Sequence, residues 1–250
     1  MPHRSPTHRH DQTALMAALV LIVIWGANFT LQKFLFELVS PTGFLMARYI
    51  IMPTCALLLM RWRLGRWLPA LPRHDLLHMA WLGFAGHTLH VGLVTYGIHW
   101  STAFSSAVIL ACGPVFTLLI LRYKGFERLS LAQVAGVGLA LLGVLMFLSD
   151  KLLGGHWRAG GGDLVLLIAA SLFSYYTVAA KPLMERHGPV LTMGYTTLLG
   201  SLPILALSVP VGLQAPWTSL DVWAWAGLFW SVLVSAFMGW LIWGWINIVR

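Results

Sequence analysis

Twenty residues from Thr13 to Gln32 pass without a charged side chain, close to the ~20 apolar residues a helix needs to cross a bilayer. The whole apolar stretch covers about 13–36. Seven more follow, at about 42–61, 75–98, 101–121, 130–149, 163–184, 190–212 and 223–247. Lipid cannot satisfy free backbone groups, and the stretches lack the alternation of barrel strands, so helices are the only economical solution. Apolar residues make up 58% of the chain and charged residues 10%, against about 25% charged in ordinary soluble domains. The expectation is an all-α integral membrane protein with eight spanning helices.

Charge placement gives orientation. Arg4 and Arg9 lie in the tail, Arg61, Arg63, Arg66 and Arg73 in the second connection, Arg122, Lys124 and Arg128 in the fourth, and Arg186 in the sixth. The first, third and seventh connections carry no Lys or Arg, and the fifth carries only Lys151 and Arg158. This bias places the N-terminus and the even connections in the cytoplasm. The net charge of +8 is spread over these connections, which argues against nucleic acid as a partner. The tail histidines His3, His8 and His10 read as part of a solvated segment. The first stretch is too long for a cleavable signal and lacks a cleavage site. Cys55 and Cys112 lie inside apolar stretches and read as small buried hydrophobes. No metal-type spacing occurs, and neither a metal nor a cofactor is expected.

One pattern occurs twice. Lys33, Glu37 and Pro41 recur as Lys181, Glu185 and Pro189, each 148 positions later, and Trp25 falls opposite Phe173 at the same offset. Between the two copies, 150–162 holds Gly154, Gly155, Gly160, Gly161 and Gly162 and reads as a flexible linker. Five crossings precede it, an odd number, so the second copy enters the membrane upside down. The expected organisation is a tail over 1–12, a five-helix repeat over 13–149, the linker, and an inverted repeat over 163–250. The second repeat has three helices, so two more are expected to follow: eight are present of ten.

Candidate site residues come from polar groups in apolar surroundings. Trp25, Asn28 and Gln32 share one face of the first helix. An amide stripe is costly against lipid, so this face should line a cavity or bond a neighbouring helix. Arg48 lies well inside the second helix, a depth at which charge marks a pathway or a pair. It could attract a carboxylate or phosphate, whereas Lys33 reads as an interface pair with Glu37. His87 and His90 are expected on one face of the third helix, with Tyr96 further along; their protonation could couple transport to protons. Pro114 interrupts the fourth helix. Ser174, Tyr175 and Tyr176 form the counterpart of the helix-one patch, and Trp243 joins the cavity set from the eighth helix. The carboxylates Asp11, Asp75, Glu127, Asp150 and Asp221 fall in tails, connections or helix edges. Glu37, Asp163 and Glu185 fall at helix ends. The absence of a central counter-charge favours neutral, zwitterionic or anionic substrates.

Several of these stretches resemble the EamA-type branch of the drug/metabolite transporter superfamily. They are Trp25-Gly26-Ala27-Asn28-Phe29, Arg48, Gly113-Pro114-Val115-Phe116, Glu127-Arg128-Leu129-Ser130 with Gln133, Gly136 and Gly143, and Gly162-Asp163. The resemblance implies ten helices in two inverted repeats, a bacterial inner-membrane location, and export of amino acids or other metabolites through a central cavity. The expected function is therefore a secondary transporter, not an enzyme, exporting small metabolites by alternating access. Its expected partners are a small-molecule metabolite and the lipid bilayer, and the sequence leaves a homodimer open. Two alternatives stand beside it: a non-transporting scaffold or degenerate remnant, and a membrane-embedded lipid-modifying enzyme.

Overall fold

The computed structural model describes residues 6–125, 130–155 and 157–249. His3 and Arg4 of the tail, and Glu127, Arg128 and Leu129 of the family motif, lie outside the described residues, as do the side chains of His8, Arg9, His10, Asp11, Asp150, Lys151 and Arg158. Among the described residues, eight helical rods follow one another. α1 is Pro6–Leu38 and α2 is Pro41–Leu64. α3 runs without a break through Arg73–Gly83, a π-helical segment Phe84–His90, and Val91–Trp100. α4 has two pieces, Ala103–Leu110 and Gly113–Tyr123. α5 is Leu131–Leu153, α6 is Trp157–His187 and α7 is Pro189–Gly212. α8 joins Val222–Phe229, a second π segment Trp230–Met238, and Gly239–Val249.

Seven of the rods are long and apolar enough to cross a membrane. α3 is the exception to the expected eight. His74, Asp75, His78, His87, His90 and His99 dilute its hydropathy, and it packs between α6 and α7. Exposed apolar side chains such as Leu19, Ile22 and Val23 on α1, and Leu139 and Leu145 on α5, form the outer surface, where lipid is their natural solvent.

Local chemistry sets the helix ends. The Gly43 amide donates to Ser40 Oγ at 3.1 Å, with Pro41 in the first turn of α2. Gly188, at φ +80°, turns α6 into α7. The Ala224 amide donates to Asp221 Oδ1 at 2.8 Å and starts α8.

Ties between rods fix their directions. Lys33 Nζ donates to the His99 carbonyl at 2.9 Å, joining the ends of α1 and α3. Asp75, at the start of α3, binds Arg186 and His187, at the end of α6. Ser101, just past the end of α3, donates to Asp163 near the start of α6. α1 therefore runs with α3, and both run against α6. α2 and α7 are likewise antiparallel, because Met46 lies against Gly212 and Met60 against Gly194.

The glycine-rich segment corrects the sequence reading. Gly154 and Gly155 make a turn, with Gly155 at φ +78°. Gly160, Gly161 and Gly162 are helical and belong to α6, not to a flexible linker. A Cβ on Gly162 would sit 2.8 Å from the Ser101 amide nitrogen, so glycine here admits the end of α3. Asp163 consequently lies in the second turn of α6, fully buried, rather than at a helix end.

Candidate substrate cavity

A cavity of about 120 Å³ opens between α1 on one side and α2, α3, α4, α6 and α8 around it. α1 supplies Trp25, Asn28, Phe29 and Gln32, spaced so that one helix face carries all four. Arg48 of α2 and His90 of α3 complete the polar lining, and Phe173 of α6 and Trp240 of α8 the aromatic one. Gly113 of α4 also borders the space, where the helix restarts after its break at Ala111 and Cys112. Pro114 has no N–H to close on the Leu110 carbonyl, and Leu110 is a cavity residue.

Three polar atoms in this lining are buried without a partner among the described residues: Asn28 Oδ1, Gln32 Oε1 and Arg48 Nε. Arg48 is 6% exposed, and among the described residues no carboxylate lies within ion-pair reach of it. An unmet buried polar group costs about 1–3 kcal/mol, more when charged. Three on one cavity wall are therefore a costly arrangement unless water or a solute meets them. The other unpartnered atoms, His87 Nδ1 and the hydroxyls of Thr192, Ser208 and Ser231, belong to residues that do not line this cavity.

The sequence-derived residues divide as follows. Trp25, Asn28, Gln32, Arg48 and His90 meet in the cavity. The Trp25 and Phe173 rings, set opposite each other by the 148-residue offset, touch edge to face at 5.9 Å. Trp243 packs on Trp25 at 5.8 Å from behind and donates Nε1 to Thr177 Oγ1 at 3.1 Å. His87 and His90 both reach the Trp240 ring, at 4.3 and 6.2 Å, but only His90 lines the cavity. His90 donates Nδ1–H to the Ala169 carbonyl at 2.8 Å. His87 lies outside the cavity lining, fully buried, stacked on Trp240 at 4.3 Å and 3.3 Å from Thr197 Oγ1. Tyr96 bonds Thr42 at 2.6 Å, away from the lining. Ser174 Oγ donates to the Gly113 carbonyl at 2.8 Å and so ties α6 to the broken helix. Tyr175 turns outward, where it accepts from Trp81 Nε1 at 2.9 Å. Tyr176 is buried 3.1 Å from Thr196 Oγ1. Sequence reasoning missed Phe29, whose position between Asn28 and Gln32 is itself a signal, and Trp240, one of several tryptophans in the eighth helix.

A second polar cluster closes the end of the bundle that carries the arginine-rich connections. Asp75, 3% exposed in the first turn of α3 and outside the membrane-spanning segments, accepts from Arg186 Nη1 at 2.7 Å and His187 Nε2 at 2.8 Å. The His187 hydrogen bond, outweighing burial and helped by Arg186 and His74, holds its carboxyl down to about 2.

Comparison with known proteins agrees with this architecture. The EamA-like transporter family matches residues 12–149, more than half of the chain. The chain belongs to this family. Several known proteins align over most of it. One is a "Probable terminal-alkyne amino-acid exporter" of Streptantibioticus cattleyicolor, 26% identical over 92% of this chain and 75% of its own. Another is a "Probable amino-acid metabolite efflux pump" of Escherichia coli, 24% identical over 91% and 75%. A third is the "Uncharacterized transporter YyaM" of Bacillus subtilis, 20% identical over 88% and 73%. No solved structure matches the chain. With its seven apolar helices, this EamA-like protein is a multi-pass membrane transporter.

Proposed function

We propose that the protein exports small zwitterionic metabolites, amino acids foremost, and that the cavity between α1 and its neighbours is where they bind. The observation that carries this reading is the meeting of three unpartnered atoms, Asn28 Oδ1, Gln32 Oε1 and Arg48 Nε, in one cavity. They are complementary to a zwitterion. Arg48 offers a charged donor for a carboxylate, and the two amide oxygens offer acceptors for an ammonium group. Trp25, Phe29, Phe173 and Trp240 provide apolar walls for a side chain. Among the described residues no carboxylate lines the space, which disfavours a solute of net positive charge. The cavity falls below the ~300–1,000 Å³ of drug-sized sites, which suits a small solute.

The reading extends to mechanism and topology. The opposed directions of α1 and α6 fit two inverted repeats, which exchange conformations to expose a midplane site to either side. The N-terminus and the arginine-rich end face the cytoplasm of a bacterial inner membrane, following the bias of Lys and Arg. The amino-acid names carried by two relatives point the same way. Proteoliposomes containing the protein should show saturable flux of at least one amino acid in a screened panel, and a screen without saturable flux would refute the reading. Phosphatase fused in the connection 39–40 should be active, and in 65–72 inactive; the reverse would overturn the orientation.

A further inference from the structure

The two π segments occupy equivalent places in the repeat. Phe84–His90, carried forward by 148 positions, falls on 232–238, inside Trp230–Met238. Changing between α and π hydrogen bonding leaves a carbonyl short of its usual N–H. In each segment one carbonyl accepts from an aromatic side chain of another helix. Tyr49 Oη donates to the His87 carbonyl at 2.8 Å. Trp25 Nε1 donates to the Ser235 carbonyl at 2.9 Å. His87 and Ser235 are themselves 148 positions apart, so both copies of the repeat present the same backbone acceptor.

The donors sit beside the groups that line the cavity. Tyr49 follows Arg48 on α2 and is fully buried. The Arg48 guanidinium makes no hydrogen bond to another described residue, so its aim depends on the rotation of the backbone beneath it. Trp25 stands about one turn before Asn28 and two before Gln32 on α1, and both amide oxygens are equally unheld.

We propose that Tyr49 and Trp25 are positioning residues: by bonding the repeat-equivalent carbonyls of His87 and Ser235, they fix the rotation of α2 and α1 so that Arg48, Asn28 and Gln32 point into the cavity. This rests on the transport reading above. Tyr49 tests it most cleanly, because it does not line the cavity, whereas the Trp25 ring does. Tyr49→Phe keeps the ring and removes only the donor.

The experiment is a double-mutant cycle in proteoliposomes of the full-length protein, with L-phenylalanine, L-leucine and their carboxamides as solutes, run at about pH 9, above the ~7.7–8.0 of an α-amino group, so that the carboxamides are largely uncharged. Tyr49→Phe should raise KM about tenfold for the amino acids and less than twofold for the carboxamides, which lack the group Arg48 receives. In an Arg48→Gln background the same change should have less than a twofold further effect, because the two residues act as a unit. A loss equal for both solute types, an additive cycle, or no effect of Tyr49→Phe would overturn the assignment while leaving transport intact. Absence of flux in the unaltered protein would instead bring down the transport reading, and this assignment with it. Should Tyr49→Phe fail to fold, the cycle is run with Trp25→Phe against Asn28→Ala, where additivity again overturns it.

Discussion

The seam between α2 and α7 and the seam between α1 and α8 solve opposite problems with the same residue types. Along α2 and α7, methionine fills the space over glycine: Met60 against Gly194, Met46 against Gly212. Beside them α3 and α7 meet backbone to backbone, where a Cβ on Gly200 would lie 2.2 Å from the Gly83 carbonyl oxygen. Lipid gives apolar helices no hydrophobic reason to associate, so such close van der Waals contact is what holds them. α1 and α8 also pack over glycine, with Leu31 on Gly227 and Leu21 and Trp25 on Gly239. Here, however, the Trp25 indole also bonds the Ser235 carbonyl, and beside it lies a cavity with unpartnered amides. The contrast separates a seam built to stay shut from a space built to be filled.

The largest predicted effect attacks the shut seam. Gly200→Val should prevent recovery of folded protein, since the obstacle is backbone that cannot yield; a monodisperse peak in detergent with an unchanged melting temperature would refute the packing account. Next comes the filled space. Arg48→Ala should cut amino-acid flux roughly 30-fold, the loss of a charge-assisted hydrogen bond of ~2 kcal/mol, with little change in melting temperature. Gln32→Leu should divide the two seams further. Removing an unmet buried oxygen should leave the melting temperature equal or a few degrees higher, while flux falls about fivefold. The smallest effect concerns the end cluster. Asp75 has a depressed pKa, so its stabilising contribution is present above the ordinary carboxylate value near 4 and lost only as pH falls toward about 2. Comparing wild type with Asp75→Asn, the difference in melting temperature should be constant from pH 5 to 8; a difference that shrank as pH fell from 8 to 5 would contradict the assignment.

Much of the fold could be read from sequence because lipid leaves few options. α2 and α7 begin at the prolines that close the repeated trio and end within three residues of the expected limits. α6 began six residues early, because glycine was read as linker chemistry where it serves close approach to Ser101. The amide face of α1 was legible through its helical spacing. The histidine pair was legible only in part: both rings reach Trp240, but His90 alone lines the cavity, and a π segment carries no recognisable spacing. Tyr175 was placed with Ser174 and Tyr176 as the counterpart of the helix-one patch, and one residue of helical rotation past Ser174 turns it outward. The 148-residue offset proved more informative than any single residue: it pairs Trp25 with Phe173 in contact, and His87 with Ser235 as matched acceptors.

The most direct test asks whether water and solute reach the space beside α1. With Cys55 and Cys112 replaced by alanine, Gln32→Cys is exposed to a membrane-impermeant thiol reagent in the presence and absence of a transported amino acid. Labelling that blocks flux, slowed by saturating solute, is the predicted result. A thiol that stays unlabelled on both sides of the membrane while flux continues would show that solutes travel by another route.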